Sequence, residues 1–320
     1  MKKYYDNKVS ILIPLYNSEK FIAETITSAL AQTWENKELI IVDDGSTDKS
    51  FEIAKSFESD IVRLYRQENR GASTARNVAF TYSNGDYIQY LDADDLISPD
   101  KIEAQMKLFE QFGNDILVSC QWDGFINSAD ESKFPNRSFY KDWDNPIDFL
   151  INLWNRSEMV APHCWLVPRK IIEITGSWNE KITVNDDGEF FCRVMLNAKA
   201  IKFCEKAYAY YRISMDGLSL SKRVGYKSTE SLLFSFEMCE KHILEAENSF
   251  RVKNALRLLY SYFIYSYCLQ YPALCEKAKG QIKNMGFRAP SYKVGKKFKF
   301  IAFLIGFEAA VRLRLLIKKW

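Results

Sequence analysis

One pattern over the first 122 residues constrains this chain more than any other. Short apolar runs rich in Val, Ile, Leu and Tyr recur, each followed by a stretch with helical spacing. The runs are "VSILIPLY" (9–16), "KELIIVDD" (37–44), "IVRLYRQ" (61–67), "DYIQYL" (86–91) and "DILVSCQW" (115–122). Between them, residues 18–32, 46–58, 72–83 and 98–112 read as helices. In the first of these, Phe21, Ile22, Thr25, Ile26, Ala29 and Leu30 share one helical face. Ser46, Thr47 and Asp48 offer capping groups to the second, and Pro99 opens the fourth. Continuous apolar runs are strands buried on both faces, and the helices between them supply the long crossovers that parallel pairing demands. The pattern predicts an α/β fold with a mostly parallel sheet flanked by helices.

An open sheet of this kind binds ligands outside the carboxyl ends of its strands. Four consecutive runs end in polar clusters there: "YN" (16–17), "DDGSTD" (43–48), "QENRGASTARN" (67–77) and "DADD" (92–95). Four clusters on one edge are more than solvated turns require. Asp92, Asp94 and Asp95 put three like charges within four positions, where each raises its neighbours' proton affinity. Such a set gains a purpose around a hard cation: Mg²⁺ or Mn²⁺ takes oxygen ligands, typically one or two carboxylates plus substrate phosphates. The competing reading is an Asp-rich turn before the Pro99 helix. Arg76, just inside the helix that follows Gly71, suits a phosphate at a helix start, since glycine lets the backbone approach closely. Otherwise it is a surface arginine on an amphipathic helix. Asp43 and Asp44 end a strand where nucleotide folds place an acid on ribose or base, and Tyr16 is placed to stack on a base or to pack. The sum is a nucleotide diphosphate held by a metal.

Several classes drop out. No GxxxxGK[ST] is present, and no GxGxxG follows the first run, so a P-loop and a dinucleotide site are disfavoured. The seven cysteines are scattered, odd in number and without a CxxC, which argues for a reducing compartment and against disulfides or zinc. A net charge of +3 makes no case for nucleic acid. The apolar run near the N-terminus is short and broken by Pro14, so no signal peptide is expected. No apolar run reaches the roughly 18 residues of a membrane span.

Residues 123–160 lose the rhythm apart from a helix near 146–156. A short strand at 163–169, a helix after Gly188 and a strand at 202–212 follow, and from Tyr226 the pattern is helical. A boundary near 220 divides residues 1–220 from a helical region at 221–320. Lys293 to Trp320 holds eight Lys/Arg and one acid, so the basic charge sits in the tail. Phe300 to Val311 is apolar except for Glu308. Two readings of 296–320 stand: a helix lying on an anionic membrane surface, or one packed on the domain with a basic exterior. His163 and His242, the only histidines, build no metal cluster or catalytic triad, and His163 is expected to pack in the core or at its rim.

The segments "SILIPLYN", "LIIVDDGSTD", "NRGASTARN" and "GDYIQYLDADD" together resemble the family 2 glycosyltransferases, which have the GT-A fold. "GSWNEKITVNDDGEFFCRV" (176–194) is similar to that family's later acidic motif, and "YYRISMDGLSLSKR" (210–223) to its closing Tyr-Arg and Ser-Leu-Ser segment. The resemblance covers residues 8 to 223 and implies inverting, Mn²⁺- or Mg²⁺-dependent transfer from a nucleotide-diphosphate sugar, UDP favoured, to an acceptor hydroxyl. It implies surface polysaccharide or glycoconjugate synthesis on the cytoplasmic side, with a glycan or lipid-linked glycan as acceptor. If the tail binds membrane, the place is the membrane's inner face. By position, Asp94 would bind the metal and Asp92 its water shell or the ribose. Asp44 would bond the base, Pro14, Tyr16 and Glu19 would line the base pocket, and Arg76 would sit near the diphosphate. Asp187 would be the catalytic base. The family's Glu-Asp pair is Asp186-Asp187 here, so Asp186 and Glu189 stay as alternative bases, and capping a helix is what "NDDGE" would otherwise do. The rivals are a polyprenyl-phosphate glycosyltransferase, a binding module that keeps the nucleotide pocket without catalysis, and a sugar nucleotidyltransferase. The last wants a Gly-rich basic loop after the first strand, which "YNSEKF" is not.

Overall fold

The computed structural model describes residues 6–213, 225–291 and 295–317. The chain runs β1 (Val9–Leu15), α1 (Ile22–Leu30), β2 (Lys37–Asp43), α2 (Ser50–Lys55), β3 (Val62–Arg66), α3 (Ala72–Tyr82), β4 (Tyr87–Tyr90), β5 (Leu96–Ile97), α4 (Lys101–Phe112) and β6 (Ile116–Phe125). Then come α5 (Pro146–Arg156), β7 (Val167–Pro168), α6 (Arg169–Thr175), α7 (Asp186–Leu196) and β8 (Ala200–Arg212). Helices α8 (Tyr226–Ala246), α9 (Phe250–Tyr267), α10 (Pro272–Asn284), α11 (Lys296–Ile305) and α12 (Phe307–Ile317) follow.

The main sheet has the order β3-β2-β1-β4-β7, parallel except for β7. Its centre is dry: Ile11, Leu12, Ile13, Leu39, Ile40, Ile41 and Val42 are fully buried. Continuous apolar runs demand this, because a parallel sheet hides both faces under its crossover helices. Leu15 pairs with Asp43 and Asp43 with Arg66, so the first three strands end level. β4 stops opposite Leu12, and its polar turn begins inside that edge.

The fifth apolar run departs from expectation. β6 belongs to a second sheet of order β5-β8-β6, in which it pairs in parallel with β8 and β5 pairs antiparallel. The two-residue β5 follows the DADD turn directly and crosses to β8, a junction too short to leave a periodicity. The strand expected at 163–169 shrinks to Val167–Pro168 behind a 3₁₀ turn at Pro162–Cys164. Proline lacks the N–H that would extend a ladder, and Pro168 instead opens α6, whose β-branched "RKIIEIT" reads as strand by composition.

A buried polar network ties the sheets together behind the DADD turn. Lys101 Nζ donates to Gln89 Oε1 at 2.5 Å and Gln105 Oε1 at 2.7 Å. Gln89 Nε2 donates to the His163 carbonyl, and Gln105 Nε2 to the Val118 and Cys164 carbonyls. Burial lowers the Lys101 pKa, and no carboxylate offsets it there. All seven cysteines are free and buried, as packing residues would be. Among the described residues no helix is long and apolar enough to cross a membrane.

Candidate active site

The ends of β1 and β2 are woven into one another. Asn17 N donates to Ser46 Oγ at 3.0 Å and Ser18 N to Ser50 Oγ at 2.7 Å, while Thr47 N donates to Asn17 Oδ1 at 2.8 Å. Glu19 takes part in this lacing: its Oε2 accepts from Lys49 N at 3.0 Å and its amide donates to Asp48. Tyr16 lies beside it, exposed at the mouth of the edge, with Pro14 half-buried beneath.

Asp44 is buried and organises the neighbouring loop. Its Oδ1 accepts from Gln67 Nε2 at 2.7 Å and Arg70 N at 2.8 Å, and its Oδ2 from Gly71 N at 2.7 Å. The acid expected to meet the base therefore also shapes the segment that leads into α3. Gly45 makes the loops fit: its φ is +74°, and a Cβ there would stand 2.9 Å from Asn69 N. Only glycine takes that conformation and approach without strain.

Arg76 reaches from α3 under the edge and joins two distant parts of the chain. One terminal nitrogen donates to Asp92 Oδ1 and the other to Asp186 Oδ2, both at 2.7 Å, and the guanidinium lies 4.4 Å over the Trp178 ring. Burial would lower its pKa, but Asp92 and Asp186 outweigh that and raise it. Both arms thus serve carboxylates. Ser73 Oγ adds a 3.2 Å bond to Asp186.

Asp94 and Asp95 occupy opposite sides of their turn. Asp95 points inward: its Oδ1 accepts from Arg212 N at 2.8 Å, and its Oδ2 stands 2.9 Å from His163 Nδ1, off the line of a good hydrogen bond. Burial disfavours a charged His163, yet Asp95 and Asp92 hold its pKa above the ordinary value. His163 is buried, as a packing residue would be, but it packs as the partner of an acid. Arg212 clamps the same turn, donating to the Asp94 carbonyl at 2.8 Å and to Glu24 Oε2 at 2.5 Å. Among the described residues no cation pairs with the Asp94 carboxylate in this way. Burial, then the charges of Asp95 and Asp92, push it up to about 8.

The later pair of acids, Asp186 and Asp187, opens α7. Asn185 holds the left-handed conformation before the helix, and Gly188 packs against its side chain, where a Cβ would stand 2.4 Å from Asn185 Oδ1. The loop is fixed from α8: Ser231 Oγ accepts from Thr183 N at 2.8 Å, and Asn185 Nδ2 donates to Ser235 Oγ at 2.9 Å. Asp186 faces Arg76. Asp187 accepts from Gly188 N at 2.8 Å, and burial and then Asp186 push its carboxyl up to about 7 against the pull of that amide and Arg76. Glu189 turns the other way, buried and held by Arg193 through both oxygens at 2.7 and 2.9 Å. The structure thus brings Asp92, Asp94, Asp186 and Asp187 to one edge around Arg76 and leaves Glu189 behind it.

Trp178, Arg212, Ser231 and Ser235 belong to this site without having been singled out from sequence. Arg212 had a signal, the closing Tyr-Arg pair. The two serines had none, since a serine on an amphipathic helix is ordinary. The Ser-Leu-Ser segment and most of "YYRISMDGLSLSKR" lie outside the described residues.

Carboxylate oxygens are the donors Mg²⁺ and Mn²⁺ accept, and Asp92 and Asp94 supply them, Asp94 with its carboxyl pushed up to about 8. Among the described residues no three His, Cys, Asp or Glu side chains gather as a cage made by protein alone. The donor set fits a cation completed by substrate phosphates.

Comparison with known proteins shows what the chain resembles. An uncharacterized glycosyltransferase of Haemophilus influenzae is 41% identical over 219 residues, covering 67% of this chain and 82% of the relative. One of Rickettsia typhi is 42% identical over 196 residues, 60% of this chain and 59% of the relative. Glycosyltransferase GlyA of Streptococcus pneumoniae is 29% identical over 231 residues, and the match spans 67% of this chain but 32% of that longer protein. The crystal structure of Staphylococcus aureus TarS residues 1–349 with UDP superposes with a TM-score of 0.65 at 20% identity, over 95% of this chain and 81% of that one, a likeness of fold. The model of glycosyl transferase family 2 matches residues 10–175, and this chain belongs to that family.

Proposed function

We propose that the chain is an inverting glycosyltransferase that moves a sugar from a nucleotide-diphosphate sugar to an acceptor hydroxyl, with Mg²⁺ or Mn²⁺ held by Asp94 and Asp92. The observation that carries this reading is the Arg76 bridge. It sets the end of β4, where a donor diphosphate would lie, against the start of α7, where an acceptor would approach. The cation, when bound, would offset charge on the leaving diphosphate. The chain's own residues do the rest. Tyr16, Pro14 and Glu19 border the base end, and Asp44 holds the loop beside it. Arg76 holds Asp92 and Asp186 in place. Asp187 accepts the proton of the acceptor hydroxyl as that oxygen attacks the anomeric carbon from the face opposite the leaving group. A single in-line displacement inverts the anomeric centre. Asp187 takes this role ahead of Asp186, whose oxygen is engaged by Arg76 and Ser73, and of Glu189, which Arg193 locks away. A pKa near 7 suits a general base.

UDP is the first nucleotide to try, since the TarS structures hold UDP and UDP-GlcNAc. The acceptor we take to be a glycan or lipid-linked glycan of a surface polysaccharide or glycoconjugate. The division near 220 falls among residues outside the described ones, and Ser231 and Ser235 favour treating the helical region as a partner in the active site. The test is thermal stability with UDP, GDP, dTDP and CDP, each with and without Mn²⁺, because a ligand that binds only the native state raises its melting temperature. One nucleotide stabilising only with metal, and losing that with Asp94→Asn, supports the donor site. No stabilisation by any of them refutes it. Asp187→Asn then separates transfer from binding: retained nucleotide stabilisation with turnover intact removes the base assignment.

A further inference from the structure

The outer face of α11 is apolar and open to solvent. Phe300, Phe303 and Leu304 stand at i, i+3 and i+4 and are 63%, 85% and 62% exposed, and Ile305 continues the patch. The helix is nonetheless well anchored. Phe298, on its inner side, is buried and meets Tyr265 of α9 and Phe307 of α12 edge to face, with Arg314 over the Tyr265 and Phe298 rings. The exposed stripe is thus a second apolar face, since the helix already has its core-facing one. Contiguous aromatic surface of this kind marks an interaction site.

Cations surround it. Lys297 and Lys299 are exposed on α11 and Arg312 on α12. Beside the α11–α12 corner a cavity of about 530 Å³ is lined by Lys279, Arg312, Pro290, Ile305, Phe307 and Ala309. A second, of about 470 Å³, shares Lys279 and adds Lys283 and Arg288. No acid is among the described residues that line either.

We propose that this corner docks the protein on the surface of an anionic bilayer. Phe300, Phe303 and Leu304 enter the boundary between headgroups and acyl chains, and Lys297, Lys299 and Arg312 meet lipid phosphates, while Lys279 is paired with Glu276 at 2.8 Å. Charge selects this occupant over a second copy of the chain: a two-fold contact through the stripe would set the same cations against one another, while anionic headgroups complement them. The helix lies on the membrane, being too short to cross it.

Flotation of the full chain with vesicles tests this, using phosphatidylcholine alone or mixed with phosphatidylglycerol. The expected result is capture by the mixed vesicles, weak capture by neutral ones, and release as salt rises. F303E/L304E lowers capture by about tenfold or more, the effect of placing charge in an apolar interface, and leaves the melting temperature unchanged because both side chains are exposed. No capture by mixed vesicles overturns the proposal. So does capture that F303E/L304E leaves intact. Self-association that F303E/L304E abolishes, with no vesicle binding, assigns the stripe to a second copy and likewise overturns it. The nucleotide-binding test can fail without touching this one, since α11 is far from it in sequence and neither readout uses the other's residues.

Discussion

Replacing Arg76 by methionine withdraws the cation that lies between Asp92 and Asp186. The side chain is 6% exposed and the two acids 27% and 19%, so the ion pairs are partly wet. Breaking a fully buried pair costs about 3–5 kcal/mol, and a surface pair is worth under about 1. This double pair falls between. Methionine fills much of the same volume but loses the stacking on Trp178, worth about 1 kcal/mol. The total is on the order of 3 kcal/mol at neutral pH, which with an unfolding entropy of about 2.1 cal/mol/K per residue lowers the melting temperature of a 320-residue chain by about 4–5 °C. Salt decides between charge and packing. In the variant Asp92 and Asp186 lose their partner, and salt screens partly wet charges, so the deficit is largest at low ionic strength and narrows as salt is raised. Melting scans of both proteins at low and high salt measure this. A variant that melts with its parent at low salt refutes the bridge as a stabilising element. A deficit that does not change with salt refutes its electrostatic origin and leaves packing alone.

Activity should show the Asp187 carboxyl directly: kcat/KM falls as pH drops through about 7, because the base must be ionised to accept a proton, and a rate-against-pH profile reads that limb. Gly45→Ala should cost about 1–3 kcal/mol in a urea titration, from a positive φ and the 2.9 Å approach to Asn69, and weaken nucleotide binding through the loop Asp44 holds. Glu247 is held down to about 2 by Arg251 and then Ser249, so its contribution is present above the ordinary carboxyl range and disappears as pH falls through about 2. Glu247→Gln should therefore cost about 0.5–1 kcal/mol at neutral pH, discounted for partial exposure, with the gap closing in acid melts. The double change Ser231→Ala, Ser235→Ala should lower kcat by about tenfold while nucleotide-induced stabilisation stays as in the parent, since it loosens the loop before Asp187 and touches nothing on the donor side.

The parts of this molecule legible in sequence are those whose signal is local. β1, β2 and β4 declare themselves because each is buried on both faces and must be largely apolar, and the edge strand β3 keeps a shorter apolar signal between its two arginines. Their carboxyl-end clusters follow, because parallel strands end on one side. What was not legible depends on distant pairing. β5 is two residues long, and β6 chose β8 over the main sheet although its apolar run looks like the other four. The same holds in the site: "DADD" shows three acids but not that Asp95 turns in to His163 while Asp94 stays out. "NDDGE" shows three candidate bases, and only folding places Arg193 on Glu189 and Arg76 on Asp186.

Charge balance explains why two carboxylates at this edge differ from the rest. The strand ends and the α7 turn bring more acids together than water would let stand, so most are held by cations: Asp92 and Asp186 by Arg76, Asp95 by His163 with the Arg212 amide, Glu189 by Arg193. Among the described residues Asp94 and Asp187 make no ion pair of this kind; burial and neighbouring acids push their carboxyls up to about 8 and about 7, while burial raises Asp95 as well despite His163. The counter-ions come from α3, α7 and the 3₁₀ turn at Pro162–Cys164, with a backbone amide from β8, and their side chains are nearly buried, so they brace the acids without closing the front. A donor that brings a divalent cation supplies what Asp94 lacks. An acceptor hydroxyl supplies the proton for which Asp187 is poised. The fold thus leaves unbalanced the two acids that the proposed reaction would balance, one at each end of the sugar being moved.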